Sequence, residues 1–221
     1  LLVGTSVKRS PAGISAKLQV EGTTADASSM SLTRNSADNG GCRFLFNKSR
    51  GASNGSDVVV QDGDTLGQIV FCANDGTDSD NIAASISSSI NGTPGANDTP
   101  GQLVFSTTAD GANSTTTRLT IDSAGLVKIP DNGKFVAGAG NDLQIYHDGS
   151  NSYIKDDGTG AVILQTNKLE IKNTAAGEDL AKFTQNAAVE LYYDNVKKFE
   201  TLADGVLVTG KVAATGDLAL T

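Results

Sequence analysis

The amino-acid sequence predicts an all-β fold, in which a compact N-terminal β-domain precedes an elongated, intertwined β-stem of short strands. Of the 25 acidic residues, 20 are Asp and five are Glu, and the chain adds 16 Asn and 25 Gly. These residues favour turns and are penalised inside helices. Short apolar stretches between such turns, and two internal repeats, are the other observations that favour strands.

In the first half of the chain, apolar stretches recur at the spacing of hairpin-built β-proteins. Asp-Gly and Asn-Gly dipeptides separate them, and both tolerate the positive φ of hairpin turns. We place turns at Asn39-Gly40, Asn54-Gly55, Asp62-Gly63, Asp75-Gly76, Asn91-Gly92 and Asp110-Gly111. The predicted strands are residues 17–20, 30–34, 43–47, 58–61, 68–73, 83–90, 102–107, 118–121 and 126–129.

The segment around Ile82, Ile86 and Ile90 fits two patterns. A spacing of four residues is expected for one face of a helix, whereas alternation with Ser is expected for a strand. Because Ser-rich sequence is a poor helix former and Asn91-Gly92 ends the run, strand is the favoured interpretation.

The sequence changes character near Pro130, and we predict a domain boundary there. Residues 1–130 form the N-terminal β-rich globular domain, and residues 131–221 form the repetitive β-stem, or shaft. Stem units this thin cannot each close a core, so we expect burial by stacking on neighbours or on other chains. The predicted stem strands are residues 143–146, 153–155, 162–165, 169–172, 181–184, 189–193, 198–201 and 206–209.

Two stretches are repeated: residues 67–71 match 101–105, and residues 143–149 match 189–195. In the second repeat Tyr146 and Tyr192 occupy matching positions, so we expect equivalent packing beside an axial core. Short strands leave unpaired edges, which winding three identical chains about one axis would pair. The sequence permits the number three without fixing it.

Charge and hydropathy limit the partners. The net charge is −8 and Lys and Arg form no cluster, which disfavours nucleic acid and anionic membranes. No run of about 18 apolar residues is present, so we expect no membrane insertion. The sequence begins at Leu1 rather than Met, and we therefore expect a fragment or processed piece of a longer protein.

Several motifs resemble modules of bacteriophage tail fibres, chiefly those of marine, cyanobacterial phages. In the first half they are residues 1–5 (Leu-Leu-Val-Gly-Thr), 91–98 (Asn-Gly-Thr-Pro-Gly-Ala-Asn-Asp), 100–111 (Pro-Gly-Gln-Leu-Val-Phe-Ser-Thr-Thr-Ala-Asp-Gly) and 118–125 (Arg-Leu-Thr-Ile-Asp-Ser-Ala-Gly). In the second half they are residues 141–155 (Asn-Asp-Leu-Gln-Ile-Tyr-His-Asp-Gly-Ser-Asn-Ser-Tyr-Ile-Lys) and 189–198 (Val-Glu-Leu-Tyr-Tyr-Asp-Asn-Val-Lys-Lys). The resemblance covers most of the chain, and residues 21–57 are its least familiar part.

The resemblance implies a homotrimeric fibre in the virion that faces the host envelope and contacts other tail or baseplate proteins. A host surface glycan or an outer-membrane receptor is the partner class that it implies. Similar fibres often end in a self-cleaving chaperone domain. No segment here matches one, so Thr221 is expected to precede such a domain or to mark its removal.

No residue is predicted to be catalytic, to bind a cofactor or to hold a metal. His147, the single histidine, corresponds to Tyr193 in the repeat, so we interpret it as a packing or solvent-facing strand residue. Asp residues are frequent enough to form the carboxylate pairs of glycan hydrolysis, but turn propensity already explains them.

Other candidate sites are also interpreted as turns or packing. Residues 75–80 and Asp156-Asp157 lack the spaced Glu of a calcium loop, and residues 138–140 lack the Lys of a phosphate-binding loop. Cys42 and Cys72 lie in apolar, strand-like stretches, where we expect small buried hydrophobes rather than a disulfide or metal site.

Receptor contact, if this segment makes it, is expected on exposed loops near residues 35–42, 50–57 and 91–100. A spacer without receptor contact fits the sequence equally well. The alternative function is a glycan-degrading, tailspike-like depolymerase on a β-solenoid, although the chain has no Trp to stack on sugar rings. A bacterial surface adhesin is a third hypothesis, but the sequence shows no anchor or secretion signal.

Overall fold

The structure is a computed structural model and describes residues 1–213. The described residues form two compact units, residues 1–158 and a second unit that begins at residue 159. The described residues are nearly all in strands, turns and loops, with two three-residue 3-10 helices at Pro11–Gly13 and Asp26–Ser28. This confirms the all-β prediction. The strands are β1 (Leu2–Val3), β2 (Gln19–Val20), β3 (Thr65–Ala73), β4 (Asn81–Ile90), β5 (Gly101–Thr108), β6 (Thr115–Ile121), β7 (Val127–Lys128), β8 (Lys134–Ala137), β9 (Leu143–His147), β10 (Ser152–Asp156), β11 (Lys168–Lys172), β12 (Asp179–Thr184), β13 (Val189–Tyr193), β14 (Val196–Leu202) and β15 (Gly205–Val208).

The first sheet is an antiparallel meander in the order β3-β4-β5-β6-β7. Five of the six predicted Asp-Gly and Asn-Gly turns place glycine at positive φ, for example Gly92 at +135°, and Asn39-Gly40 is the exception. In the β3–β4 turn, the Asp75 carboxylate accepts hydrogen bonds from the backbone N–H groups of Thr77 and Asp78 and from the Asn81 amide. The predicted turn chemistry therefore sets the order of this sheet.

Residues 81–90 form one continuous strand, which confirms the favoured interpretation of the Ile82, Ile86 and Ile90 pattern. Ile86 lies opposite Ile69 of β3 and Phe105 of β5, so alternation with Ser gives the sheet one apolar and one hydroxyl-bearing face.

The second sheet, also in the first unit, is antiparallel in the order β10-β9-β8. The sequence predicts β9 and β10 but not β8, which contains only two large apolar residues, Phe135 and Val136. The domain boundary predicted at residue 130 falls between the first and second sheets, within the first unit, and it stays a prediction.

The third sheet lies in the second unit and is an antiparallel meander in the order β11-β12-β13-β14-β15. Tight turns join its strands, and Asp194 and Asn195 both adopt positive φ in the β13–β14 turn. Two β-bulges interrupt the register, between Ile171 and Lys172 and between Leu191 and Tyr192.

Four predicted strands are wrong: residues 30–34, 43–47, 58–61 and 162–165 form none. A strand exists only where a neighbour accepts and donates successive backbone hydrogen bonds, and these segments form no such ladder with any described residue. Residues 58–61 come nearest, since the Arg50 N–H donates a single hydrogen bond to the Val58 carbonyl. The prediction at residues 17–20 shortens to β2, which pairs with β1 in a short parallel bridge.

A close contact joins the irregular segment before β3 to the first sheet. A Cβ atom added at Gly67 would lie 2.5 Å from the Cβ of Phe46, so glycine permits the close approach of the two backbones. Gly101 occupies a strand position in β5 where an added Cβ would meet only atoms at 3.9 Å.

We predict that Gly67→Ala lowers the free energy of unfolding by about 1–3 kcal/mol, because the methyl group overpacks against Phe46. Gly101→Ala is the matched control and leaves thermal stability unchanged or slightly raised, because alanine loses less conformational entropy than glycine. Thermal unfolding of the two variants measures the difference. Equal melting temperatures would contradict the assigned contact.

Candidate assembly surface

The single chain leaves much of its apolar surface uncovered. It exposes 16821 Å², whereas a folded monomer of its mass, 22.6 kDa, is expected to expose about 9,500 Å². The excess of roughly 7,000 Å² is as large as the surface that obligate subunit interfaces remove from water. Among the described residues, the buried apolar side chains are Val60, Ile90 and Ala181. The chain therefore does not fill a core of its own.

In each of the three sheets with three or more strands, strand register aligns apolar side chains in a row across one face. We call these the first, second and third apolar rows. The first row is Ile69, Ile86, Phe105 and Leu119; the second is Phe135, Ile145 and Ile154; the third is Ile171, Ala181, Leu191, Phe199 and Val208.

The rows are covered incompletely. In the second row all three side chains are exposed, and Ile154 keeps 65% of its surface accessible. In the third row Ile171, Leu191 and Val208 are exposed as well. Side chains of this kind gain free energy when a second layer removes them from water.

The opposite face of the third sheet carries charged side chains, which form ion pairs with one another. Lys172 and Lys182 both contact the Asp179 carboxylate at 2.5 Å. Lys197 bridges Glu190, at 2.7 Å, and Glu200. Hydrogen bonds from Lys197 and then Tyr192 hold the pKa of the Glu190 carboxyl below its ordinary value. Because these charges are paired and hydrated, burial favours the other, apolar face.

The opposite face of the second sheet is polar. Gln144 is the buried polar side chain among the described residues, and its Oε1 accepts a 2.6 Å hydrogen bond from Lys134 Nζ. Its Nε2 donates to Asp157 Oδ2 at 3.0 Å and to the carbonyl of Asn141. Gln144 therefore links Lys134 of β8 to Asp157, which directly follows β10.

Tyr146 and Tyr192 have equivalent surroundings, as their repeated positions predict. Both are half-buried, and a lysine ammonium lies over each ring, Lys134 at 4.5 Å and Lys182 at 5.0 Å from the centroids. Tyr146 also stacks on Tyr153, with centroids 4.7 Å apart. Alternation places both rings on the polar faces rather than on the faces of the apolar rows. The predicted covering of an axial core stays a prediction.

Two of the three predicted receptor loops lie together. Residues 47–49 and 57–60, beside the 50–57 loop, form an open cleft of about 330 Å³ with Gly95 and Thr99 of the 91–100 loop. Residues 35–42 do not line it. The Arg50 guanidinium fixes the first loop through a bidentate contact with Asp64, with both distances 2.7 Å. The sequence does not predict the Arg50–Asp64 pair, because the 13 residues between them contain no pattern that indicates a contact.

The remaining sequence candidates lie in turns or on exposed strands. His147 is exposed on β9, with Nδ1 3.2 Å from Ser152 Oγ. Asp156 accepts a hydrogen bond from the Gly158 N–H, and Asp157 pairs with Lys155 at 2.7 Å. Residues 138–140 form a turn against the Asp142 carboxylate.

Both cysteines are free, and the prediction that they are buried is wrong: Cys42 is exposed and Cys72 is partly exposed. Residues 42–47 pair with no strand among residues 1–213, which leaves Cys42 exposed there. Within residues 1–213, no three His, Cys, Asp or Glu side chains are arranged to hold a metal ion. No helix in that range is long and apolar enough to cross a membrane.

These features define an all-β protein of single-layer meander sheets, each with one uncovered apolar row. No known protein family and no curated protein matches the chain. Among solved structures, it is similar to the carboxy-terminal domain of the L-shaped tail fibre of bacteriophage T5, at 18% sequence identity and a TM-score of 0.43. The match covers 66% of this chain and 50% of that one. A similarity this weak does not assign the chain to a family.

The Arg50–Asp64 contact predicts a pH dependence. Arg50 and the Gln61 backbone N–H hold the pKa of the Asp64 carboxyl well below its ordinary value, which is about 3.9. A depressed pKa in the folded state stabilises the protein above the ordinary pKa, and this stabilisation is lost as the pH falls toward the depressed value. We predict that Asp64→Asn lowers the melting temperature at neutral pH and weakens its fall in acid. Asp110→Asn, in an exposed turn, leaves the profile unchanged, and identical profiles for the two variants would refute the assignment.

Two matched substitutions in the third sheet test whether its apolar row is the contact surface between chains. Leu191 lies in the row and is 43% exposed, whereas Leu207 lies opposite Glu200 on the charged face and is 48% exposed. Leu191→Lys should weaken self-association more than tenfold, because burying a leucine contributes roughly 1.5–3 kcal/mol per copy. Leu207→Lys should leave self-association intact. Analytical ultracentrifugation measures both, and equal effects would show that the row is not the contact surface.

Proposed function

We propose that the chain is a structural segment of a phage tail fibre, assembled as a homotrimer in the virion, which holds a receptor-binding surface toward the host. The observation that carries this proposal is the apolar row on each of the three sheets, backed by a polar face. A single-layer sheet with one apolar face is stable only when a second layer covers that face. Other copies of the chain supply this layer in a closed symmetric assembly.

The sequence modules support the place of this assembly in a tail fibre. They resemble modules of marine, chiefly cyanobacterial, phage fibres and include residues 91–98 and 141–155. Residues 91–98 lie within one of the two loops that line the same cleft. Loops held on a rigid β-scaffold are common places for recognition, so these two loops are the proposed receptor contacts.

The proposed role is structural rather than enzymatic. No specific observation favours the depolymerase alternative, because the described sheets of three or more strands are antiparallel meanders instead of the parallel coils of a β-solenoid. The carboxylates of Asp75, Asp148 and Asp156 accept hydrogen bonds from backbone N–H groups of the turns in which they lie.

Immunogold electron microscopy of virions that carry the full-length protein tests the proposal. Antibodies raised against residues 1–158 should label the tail fibres at a fixed distance from the baseplate and should block adsorption to the host. Antibodies against an unrelated capsid epitope serve as the control. Labelling of the capsid alone, or no labelling of intact virions, would contradict a tail-fibre role.

A further inference from the structure

The free edge of the first sheet is long and carries no charge. Strand β3 is nine residues long, lies at one end of the sheet and contains no charged residue. Its outward backbone groups receive no hydrogen bond from any described residue. A long, uncharged edge is a template for another strand, and proteins usually blunt such edges with charge, bulges or short length.

The other sheet edges are blunted in these ways. Strand β11 carries Lys168, Glu170 and Lys172. Strand β8 carries Lys134, and β10 carries Lys155 and Asp156. The remaining edge strands are short, two residues in β7 and four in β15. Strand β3 is therefore the one long, uncharged edge among the described strands, and five of its residues lie between two bulges.

The chain also contains a strand-like segment without a partner. Residues 43–47 read Arg-Phe-Leu-Phe-Asn, a pattern that favours β-structure, yet they form no strand. Phe44, Leu45 and Phe46 are 63%, 79% and 49% exposed. Every residue from 22 to 48 is exposed, and irregular segments this long inside a compact unit are uncommon unless they have a function.

Residues 43–47 and the regular part of strand β3 have the same length. Bulges interrupt the pairing of β3 with β4 between Thr65 and Gly67 and between Phe71 and Cys72. Residues 67–71 between the bulges are regular, and they equal residues 43–47 in number. Within one chain, however, residues 43–47 contact the face of β3 through Phe46 and Gly67 rather than its edge. The edge thus stays open to a segment from outside the chain.

We propose that residues 43–47 of one copy add as a strand to the β3 edge of a second copy. The described part of each chain has one such donor and one such acceptor, so every copy gives one strand and receives one, and a threefold rotation, as in the proposed trimer, closes these head-to-tail contacts into a ring. Main-chain hydrogen bonds supply the affinity, as in other strand additions. This inference rests on the proposed trimer and assigns one of its contacts.

Photo-crosslinking of the full chain tests the contact. Phe44 is replaced by a benzophenone analogue of phenylalanine, and unlabelled and ¹⁵N-labelled copies are mixed during refolding and irradiated. We expect peptides containing position 44 to be joined to residues 65–73 of a copy with the other isotope. Products of a single isotope composition, or links only to other segments, would overturn the inference.

Two controls separate this contact from general self-association. The same photoprobe at Met30, which is also exposed in the irregular segment, should not link to residues 65–73, and a link there would count against the inference. Leu45→Pro removes a backbone donor from the added strand and should weaken self-association at least tenfold. Ala37→Pro, outside the strand, should not weaken it.

Sedimentation of the same mixture distinguishes the two proposals. A trimer without mixed-isotope products contradicts the strand addition and leaves the tail-fibre assembly standing. A folded monomer contradicts the assembly and, with it, the strand addition.

Discussion

The structure depends on one constraint: each of the three larger sheets is a single layer with one apolar face, and no second sheet in the described part of the chain covers it. Among the described residues, the irregular segment around Phe46 contacts the apolar face of the first sheet. Hydrophobic burial is the main favourable term in folding, and in most domains two packed layers share it. Here Ile90 and Ala181 are among very few apolar side chains removed from water. In the proposed assembly, contacts between chains supply the burial that the described part of a single chain lacks.

Tight turns make the apolar rows possible. Because side chains alternate along a strand, a shift of one residue would move every apolar side chain to the opposite face. Turns built on Asp, Asn and Gly fix the register, so that Ile69, Ile86 and Phe105 meet on one face of the first sheet. In the third sheet, paired charges such as Asp179 and Lys182 keep the other face hydrated. Local turn chemistry and charge pairing together decide which face is available for assembly.

Local patterns in the sequence predict the paired strands well. Residues 189–193 alternate between apolar and polar positions, residues 81–90 place Ile among Ser and Ala, and turns with positive φ bound both segments. The four wrong strands have a common physical cause, because a strand-like pattern such as residues 43–47 gives no information about whether a pairing neighbour exists. The same holds for the surroundings of Tyr146, since the lysine above its ring comes from the unpredicted strand β8. The Arg50–Asp64 contact likewise depends on tertiary proximity rather than on a local pattern.

Sedimentation equilibrium of the unmodified chain over a range of micromolar concentrations tests the central claim most directly. If other copies cover the apolar rows, the mass is three times 22.6 kDa, and strand content and assembly are lost together on heating. A single chain of 22.6 kDa that keeps its strand content over the whole concentration range would contradict the account, because its apolar rows would then be stable in water.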